Sequence, residues 1–400
     1  MLYIWPELPI FLDGIDGASE DTIDDIAAAL RLNHRVSGIR LAFIPRSEWE
    51  TILPLMQHPF PCLTYLWIQP HYRIDNAITR SFLDGSAPCL RNFSLLGVPF
   101  PALPGLLLSA TNLVSLQYGI VPCSGYISPQ AMVTGLSALT RLESLSLVLQ
   151  SSPDRPIRIT PPHTRLLLPA LTYLRFYGIS EYMEDLVAQI DAPLLGSITI
   201  GLFYQEVLEV SELAKFVSRA DKLSLADRGE VIFGTGRVSI TLSTELLGER
   251  VDPKTLILNS QYSGTHLRLS HLARFCTSCL PNTSPLESLY IFDPYDDSWH
   301  GTIDDADPQW WLELLRPFNN VKDLYLSRHV APHVAQALRE LPVERVTEVL
   351  PALKSVAISW PEPVEEAMSE FATARQLSGH PVSIRDWVEW ERYPGRTTTR

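Results

Sequence analysis

Apolar residues recur along the chain in a six-residue phrase, filled at its first, fourth and sixth positions. The copies are VSGIRL from Val36, LTYLWI from Leu63, LRNFSL from Leu90, LVSLQY from Leu113, LESLSL from Leu142, LTYLRF from Leu171, LGSITI from Leu195, LESLYI from Leu286, VKDLYL from Val321 and LKSVAI from Leu353. The last two apolar positions alternate with polar or aromatic ones, which is the period of a strand with one buried face. Between the phrases runs a different pattern, apolar at i, i+3, i+4 and i+7, which lines one stripe of a helix. It fits Ile23/Ile26/Ala27/Leu30, Leu103/Leu106/Leu107/Ala110, Met183/Leu186/Val187/Ile190, Leu213/Phe216/Val217/Ala220, Trp311/Leu314/Leu315/Phe318, Val334/Ala337/Leu338/Leu341 and Val364/Ala367/Met368/Phe371. The pattern predicts a helix after every strand. Trp49/Ile52/Leu53/Met56 also fits, with Pro54 expected to kink or shorten that helix.

Local signals place the ends of these elements. Ser180 and Ser211 stand where a hydroxyl can cap a helix N-terminus, and Pro61, Pro88, Pro169 and Pro351 each precede a phrase, where a residue without a donor marks the edge of a ladder. A strand-helix unit repeated every 23 to 35 residues cannot bury its apolar faces alone and must stack on its neighbours. The predicted fold class is therefore α/β, a leucine-rich-repeat solenoid: an irregular horseshoe with parallel strands on the concave face and helices on the convex face. It is expected to span 1–400 as one array, with a tail at 392–400. Irregularity enters at two places. The runs VIFGTG and RVSITL, between Leu223 and Leu258, read as a hairpin with Gly234 and Gly236 in the turn, and the position that often carries an Asn ladder holds His71, Val98, Gln150 and Ile179.

Composition narrows the function classes. An apolar share of 46% is enough for a large core, and a formal net charge of −13 with no Lys/Arg cluster argues against a nucleic-acid partner. The N-terminus MLYIWPELPIFLDGID has no basic residue before Arg31, and no segment reaches the roughly 18 apolar residues of a membrane span, so cytosol or nucleus is expected and no membrane partner. No constellation for catalysis is visible. FGTGRVS lacks the third glycine of a dinucleotide loop and leads into a strand-like run; the P-loop, zincin and nucleophile-elbow motifs are absent. The ten histidines are scattered. The pair Cys276/Cys279 has metal-knuckle spacing, but Cys62, Cys89 and Cys123 supply no second pair, and Leu272/Phe275/Cys276/Cys279 lies on a helix stripe, so these thiols are read as buried side chains. No metal, no cofactor and no enzymatic activity are expected.

The working surface predicted for this architecture is the strand face that does not carry the leucines. It displays Tyr65 and Trp67, then Tyr173, Arg175 and Tyr177, then Tyr290 and Tyr325, residue types that dominate interface hot spots. A weaker candidate is the acidic, aromatic connection around Asp293, Tyr295, Asp296, Asp297 and Trp299, which misses the spacing of a calcium loop and reads as solvated or partner-contacting. The acidic run DGIDGASEDTIDD reads as a helix start.

Longer phrases carry a resemblance. HRVSGIRL, LPLMQHPFPCLTYLWI, SPQAMVTGLSALTRLESLSL, PPHTRLLLPALTYLRFYGISEYMEDLVAQIDAPLL, WLELLRPFNNVKDLYLS and ERVTEVLPALKSV, in this order, resemble the repeat region of the fungal F-box proteins with leucine-rich repeats. The resemblance implies the substrate-recognition part of a cullin-type ubiquitin ligase, with a protein target held on the repeats. The F-box itself is expected to be absent from this chain, because WPELPIFL is followed within a few residues by the first repeat helix, so the ligase adaptor is a partner only where an F-box is supplied upstream. The alternative reading is a small-molecule receptor or an enzyme with a pocket in the concave face.

Overall fold

In the computed structural model, all ten phrases form strands, and the first, fourth and sixth residues of every phrase are buried. The structure describes residues 8–14, 20–121, 123–149, 164–203, 210–220, 223, 226–234, 237–243, 255–261, 265–279, 285–293, 307–358 and 365–387. The chain divides into two compact units, Met1–Leu195 and Gly196–Arg400.

The first unit contains strands β1 (Ile10–Gly14), β2 (Val36–Ile44), β3 (Tyr65–Pro70), β4 (Asn92–Leu96), β5 (Ser115–Val121), β6 (Ser144–Leu149), β7 (Leu166–Leu167), β8 (Tyr173–Gly178) and β9 (Ile190–Asp191). Apart from the short β7–β9 pair, they lie side by side in chain order, all parallel. The register aligns Leu12, Ile39, Leu66, Phe93, Leu116, Leu145 and Leu174 in one row across the sheet. Each of these side chains is buried, so the row is a continuous apolar spine that no single repeat could close by itself. Helices α1 (Glu20–Leu30), α2 (Arg46–Leu55), α3 (Leu103–Leu107), α4 (Pro129–Leu136) and α5 (Ser180–Val187) cover the leucine side. Pro54 sits in the last turn of α2, which ends one residue later, as a ring that cannot donate requires.

Two local expectations are corrected. The prolines before the strands do not lie at a ladder edge. Pro61, Pro88, Pro169 and Pro351 each stand four residues before the strand starts, at the second position of a turn closed by Leu63 N–H to Phe60 O, Leu90 to Ala87, Leu171 to Leu168 and Leu353 to Leu350. Proline's fixed φ suits that turn position, and the fourth turn residue is the first leucine of the phrase. The turn thus aims the leucine into the core. Nor does a helix follow every strand: β3 leads into a loop and a short 3₁₀ turn, Phe82–Gly85, in which Leu83 and Asp84 have φ of 52° and 55°.

The second unit holds β10 (Ser197–Phe203), α6 (Ser211–Ser218), β11 (Arg228–Gly234), β12 (Arg237–Ser243), β13 (Thr255–Gln261), α7 (Thr265–Cys279), β14 (Ser288–Phe292), α8 (Pro308–Leu315), β15 (Asp323–Leu326), α9 (Ala331–Arg339), β16 (Ser355–Ile358), α10 (Glu365–Leu377) and β17 (Ser383–Asp386). Its lateral order is β10-β13-β12-β11-β14-β15-β16-β17. VIFG and RVSITLS form an antiparallel pair, β11 with β12, and β12 pairs antiparallel with β13 as well, whereas β10–β13 and β11–β14 are parallel. Three strands therefore enter the sheet in reversed chain order. Helix caps also differ from expectation: Ile179 and Val210, not Ser180 and Ser211, occupy the N-cap positions, without a side-chain cap. Side-chain caps are found at α4 and α8, where Ser128 Oγ accepts from Ala131 N and Asp307 Oδ1 from Gln309 N, each followed by proline at the first helical position.

Candidate functional site

Because side chains alternate across a strand, burying the leucines presents the intervening residues on the helix-free face. In LTYLRFYG, Leu174 and Phe176 are buried while Tyr173, Arg175 and Tyr177 are half-exposed; Tyr65 and Trp67 on β3, and Tyr290 and Tyr325 on β14 and β15, are half-exposed as well. All seven residues predicted for this face stand at its outward positions. Within the first unit they occupy two places, β3 and β8, and within the second unit the two tyrosines are brought together.

On β1 to β3 the register sets Phe11 opposite Gly38 and Gly38 opposite Tyr65. The Phe11 ring crosses over the glycine to reach Tyr65, with centroids 5.7 Å apart, and a Cβ on Gly38 would meet the Phe11 ring at 2.2 Å. One row along, Arg40 lies over the Trp67 ring at 5.6 Å and 3.8 Å from Asp13. Phe11 remains 54% exposed, so this is an open aromatic surface rather than a core. Nearby, Phe43 takes a left-handed φ of 53° at the β2 bulge and packs against His71, which in turn contacts Tyr72.

The second unit repeats the device over β14 to β17. Tyr290 and Tyr325 stack at 4.2 Å, and Trp387 packs against both. Arg385 on β17 reaches over Ala357 of β16 to Tyr325: its guanidinium lies over the ring, donates to Tyr325 Oη at 2.9 Å and sits 3.8 Å from Asp323. Asp323 is further held by the Ser355 hydroxyl. A small residue in the middle strand, Gly38 or Ala357, is what lets the edge strand contact the second strand inward. Burial, followed by the nearby Tyr325, pushes the Tyr290 phenol up to about 12, with Arg228 opposing.

Phe11, Asp13, Arg40, Asp323, Arg385 and Trp387 were not singled out from the sequence. The first two and the last two lie on edge strands of four or five residues, IFLDG and SIRD with Trp387 just after it, too short for a two-residue period to stand out. In the acidic connection, Asp293 is buried, its backbone N–H donating to Ser327 Oγ, while Tyr295, Asp296, Asp297 and Trp299 lie outside the described residues. Of the CxxC pair, Cys276 is buried on the inward stripe of α7 and burial drives its thiol well up; the Cys279 side chain lies outside the described residues. Cys62 and Cys89 are exposed at equivalent places in their proline turns. Among the described residues no three His, Cys, Asp or Glu side chains group as metal ligands, and no helix is long and apolar enough to cross a membrane. An open groove of about 440 Å³ runs between α7 and α8, lined by Arg274, Thr277, Glu313 and Arg316, on the helix side rather than the strand face.

Parallel strands whose buried rows are rebuilt by every repeat, with helices on one side, define a leucine-rich-repeat fold. No protein-family model matches the chain, and comparison with curated proteins finds no match. Among solved structures, the leucine-rich-repeat-containing protein LegL7 from Legionella pneumophila is similar over 93% of this chain and 98% of that one, at 13% identity and a TM-score of 0.31.

Proposed function

We propose that the chain is a non-catalytic scaffold that holds a partner protein on its helix-free strand face. The observation that carries this reading is the set of aromatic and arginine side chains standing half-exposed on strands whose opposite side is fully packed. Such side chains are presented at low conformational cost, which is what a hot-spot residue needs. The resemblance of the repeat phrases supports a narrower reading, in which the scaffold is the substrate-holding part of an F-box-type ubiquitin-ligase receptor.

The test is a comparison of folded variants. Wild type, Trp67→Ala and Tyr325→Ala chains, each fused behind an F-box, are used to recover partners and their ubiquitylated forms from cells. The scaffold reading expects at least one partner to be lost in a strand-face variant that melts like wild type, and the ligase reading expects that partner to carry less ubiquitin. Identical partner sets in all three chains overturn the first; a partner lost without any change in ubiquitylation overturns the second.

A further inference from the structure

Among the described residues, three arginines on the helix-free face lie over aromatic rings, and two of them are also paired with a carboxylate of their own unit. Arg40 has Trp67 and Asp13; Arg385 has Tyr325 and Asp323. Arg175 lies over Tyr177 at 4.9 Å, yet among the described residues it forms no ion pair. Along β1 to β6 and β8 the outward positions hold a single acidic residue, Asp13, and Arg40 occupies it. Among the described residues the buried Arg175 Nε–H has no acceptor. Its register partner on β6, Ser146, is 7% exposed, and the Ser146 hydroxyl also has no hydrogen-bond partner among the described residues.

A buried donor left unpaired costs free energy, and a guanidinium and a hydroxyl side by side are the complement of a carboxylate, whose two oxygens accept from both. We propose that Arg175 and Ser146 form a carboxylate-binding site, completed by an Asp or Glu side chain of the partner segment laid across the strands, with Tyr173 and Tyr177 flanking it. This rests on the reading of the strand face as the partner site. Charge selects the occupant: the protein as a whole is acidic, but this stretch of the face carries an unbalanced cation, so an acidic segment is attracted here and a basic one repelled.

The experiment is selection of a displayed random decapeptide library on the full chain, followed by binding of the enriched peptides as synthetic probes. The expected result is a shared Asp or Glu whose replacement by Asn or Gln weakens binding about tenfold or more, the scale of a lost charge-assisted pair. Arg175→Gln should give the same loss with no further loss when both changes are combined, and Ser146→Ala a smaller one of about threefold. Both variants should melt like wild type. Enriched peptides that lose binding on Trp67→Ala but not on Arg175→Gln overturn the carboxylate site and leave the partner face standing. No enriched peptide, or none sensitive to any strand-face substitution, overturns both.

Discussion

Leu174 and Arg175 are adjacent in sequence and opposite in consequence. Leu174 is fully buried in the row that runs from Leu12 across the first unit, so Leu174→Ala leaves a cavity and should cost roughly 2 to 5 kcal/mol. Arg175→Ala, on the other face, should change stability by about 0.5 kcal/mol or less. Denaturant melts of the two variants check the strand register directly; a larger loss for Arg175→Ala would contradict it. Burial makes a second distinction, among thiols. Cys276, with its thiol pushed well up, should react with an alkylating reagent far more slowly than the exposed Cys62 and Cys89, as site-resolved mass spectrometry would show, and equal rates would put Cys276 elsewhere. Tyr290 adds a pH dependence. Its folded phenol lies at about 12 against 10.0 for an ordinary tyrosine, so the fold favours the neutral form; that contribution is complete below pH 10.0 and is lost as pH rises toward about 12. Phenolate absorbance of wild type and Tyr290→Phe should differ by one late-titrating group, and an early-titrating difference would show the stack to be open to water.

At the scale of elements, the strands and most helices were legible because each is announced by a period repeated many times. Ser180 and Ser211 have the right chemistry for caps, but the helices begin one residue earlier than a cap there would allow, and Ile179 and Val210 take the position. Ser128→Ala should cost about 1 kcal/mol through the lost Ala131 N–H bond. Thermal melts of wild type and Ser128→Ala check this, and an unchanged midpoint would show that the cap adds nothing to stability. Gly38 is a second element-scale control. Even alanine there would strike the Phe11 ring, so Gly38→Ala should detach β1 from the face and expose its amides to hydrogen exchange, while β4 to β6 stay protected. Unchanged exchange in β1 would mean that the ring has room to move aside.

For the whole molecule, a stack in which each repeat touches its neighbours frays from its ends. Hydrogen-exchange protection should be lowest in β17, whose four residues are all exposed, and should rise toward β14; protection of β17 equal to that of β14 would indicate an edge covered in solution. The fold class and the inward and outward faces of the strands followed from the chain alone, since a period of two and a leucine phrase recurring ten times leave one way to bury the apolar rows. The seven aromatic and arginine positions of the candidate face followed from the same alternation. Of the lateral neighbours, the chain-order stacking of the first unit and the β11–β12 hairpin followed as well, and the rest did not. The reversed order β13-β12-β11, the passage of Phe11 over Gly38 and of Arg385 over Ala357, and the pairing of Arg40 and Arg385 with carboxylates while Arg175 is left without one all depend on which strands lie side by side and in what register. Local periodicity specifies which way a side chain points from its own strand; it does not fix the register or the residue that stands across the sheet, because that is decided by contacts between residues far apart in the chain.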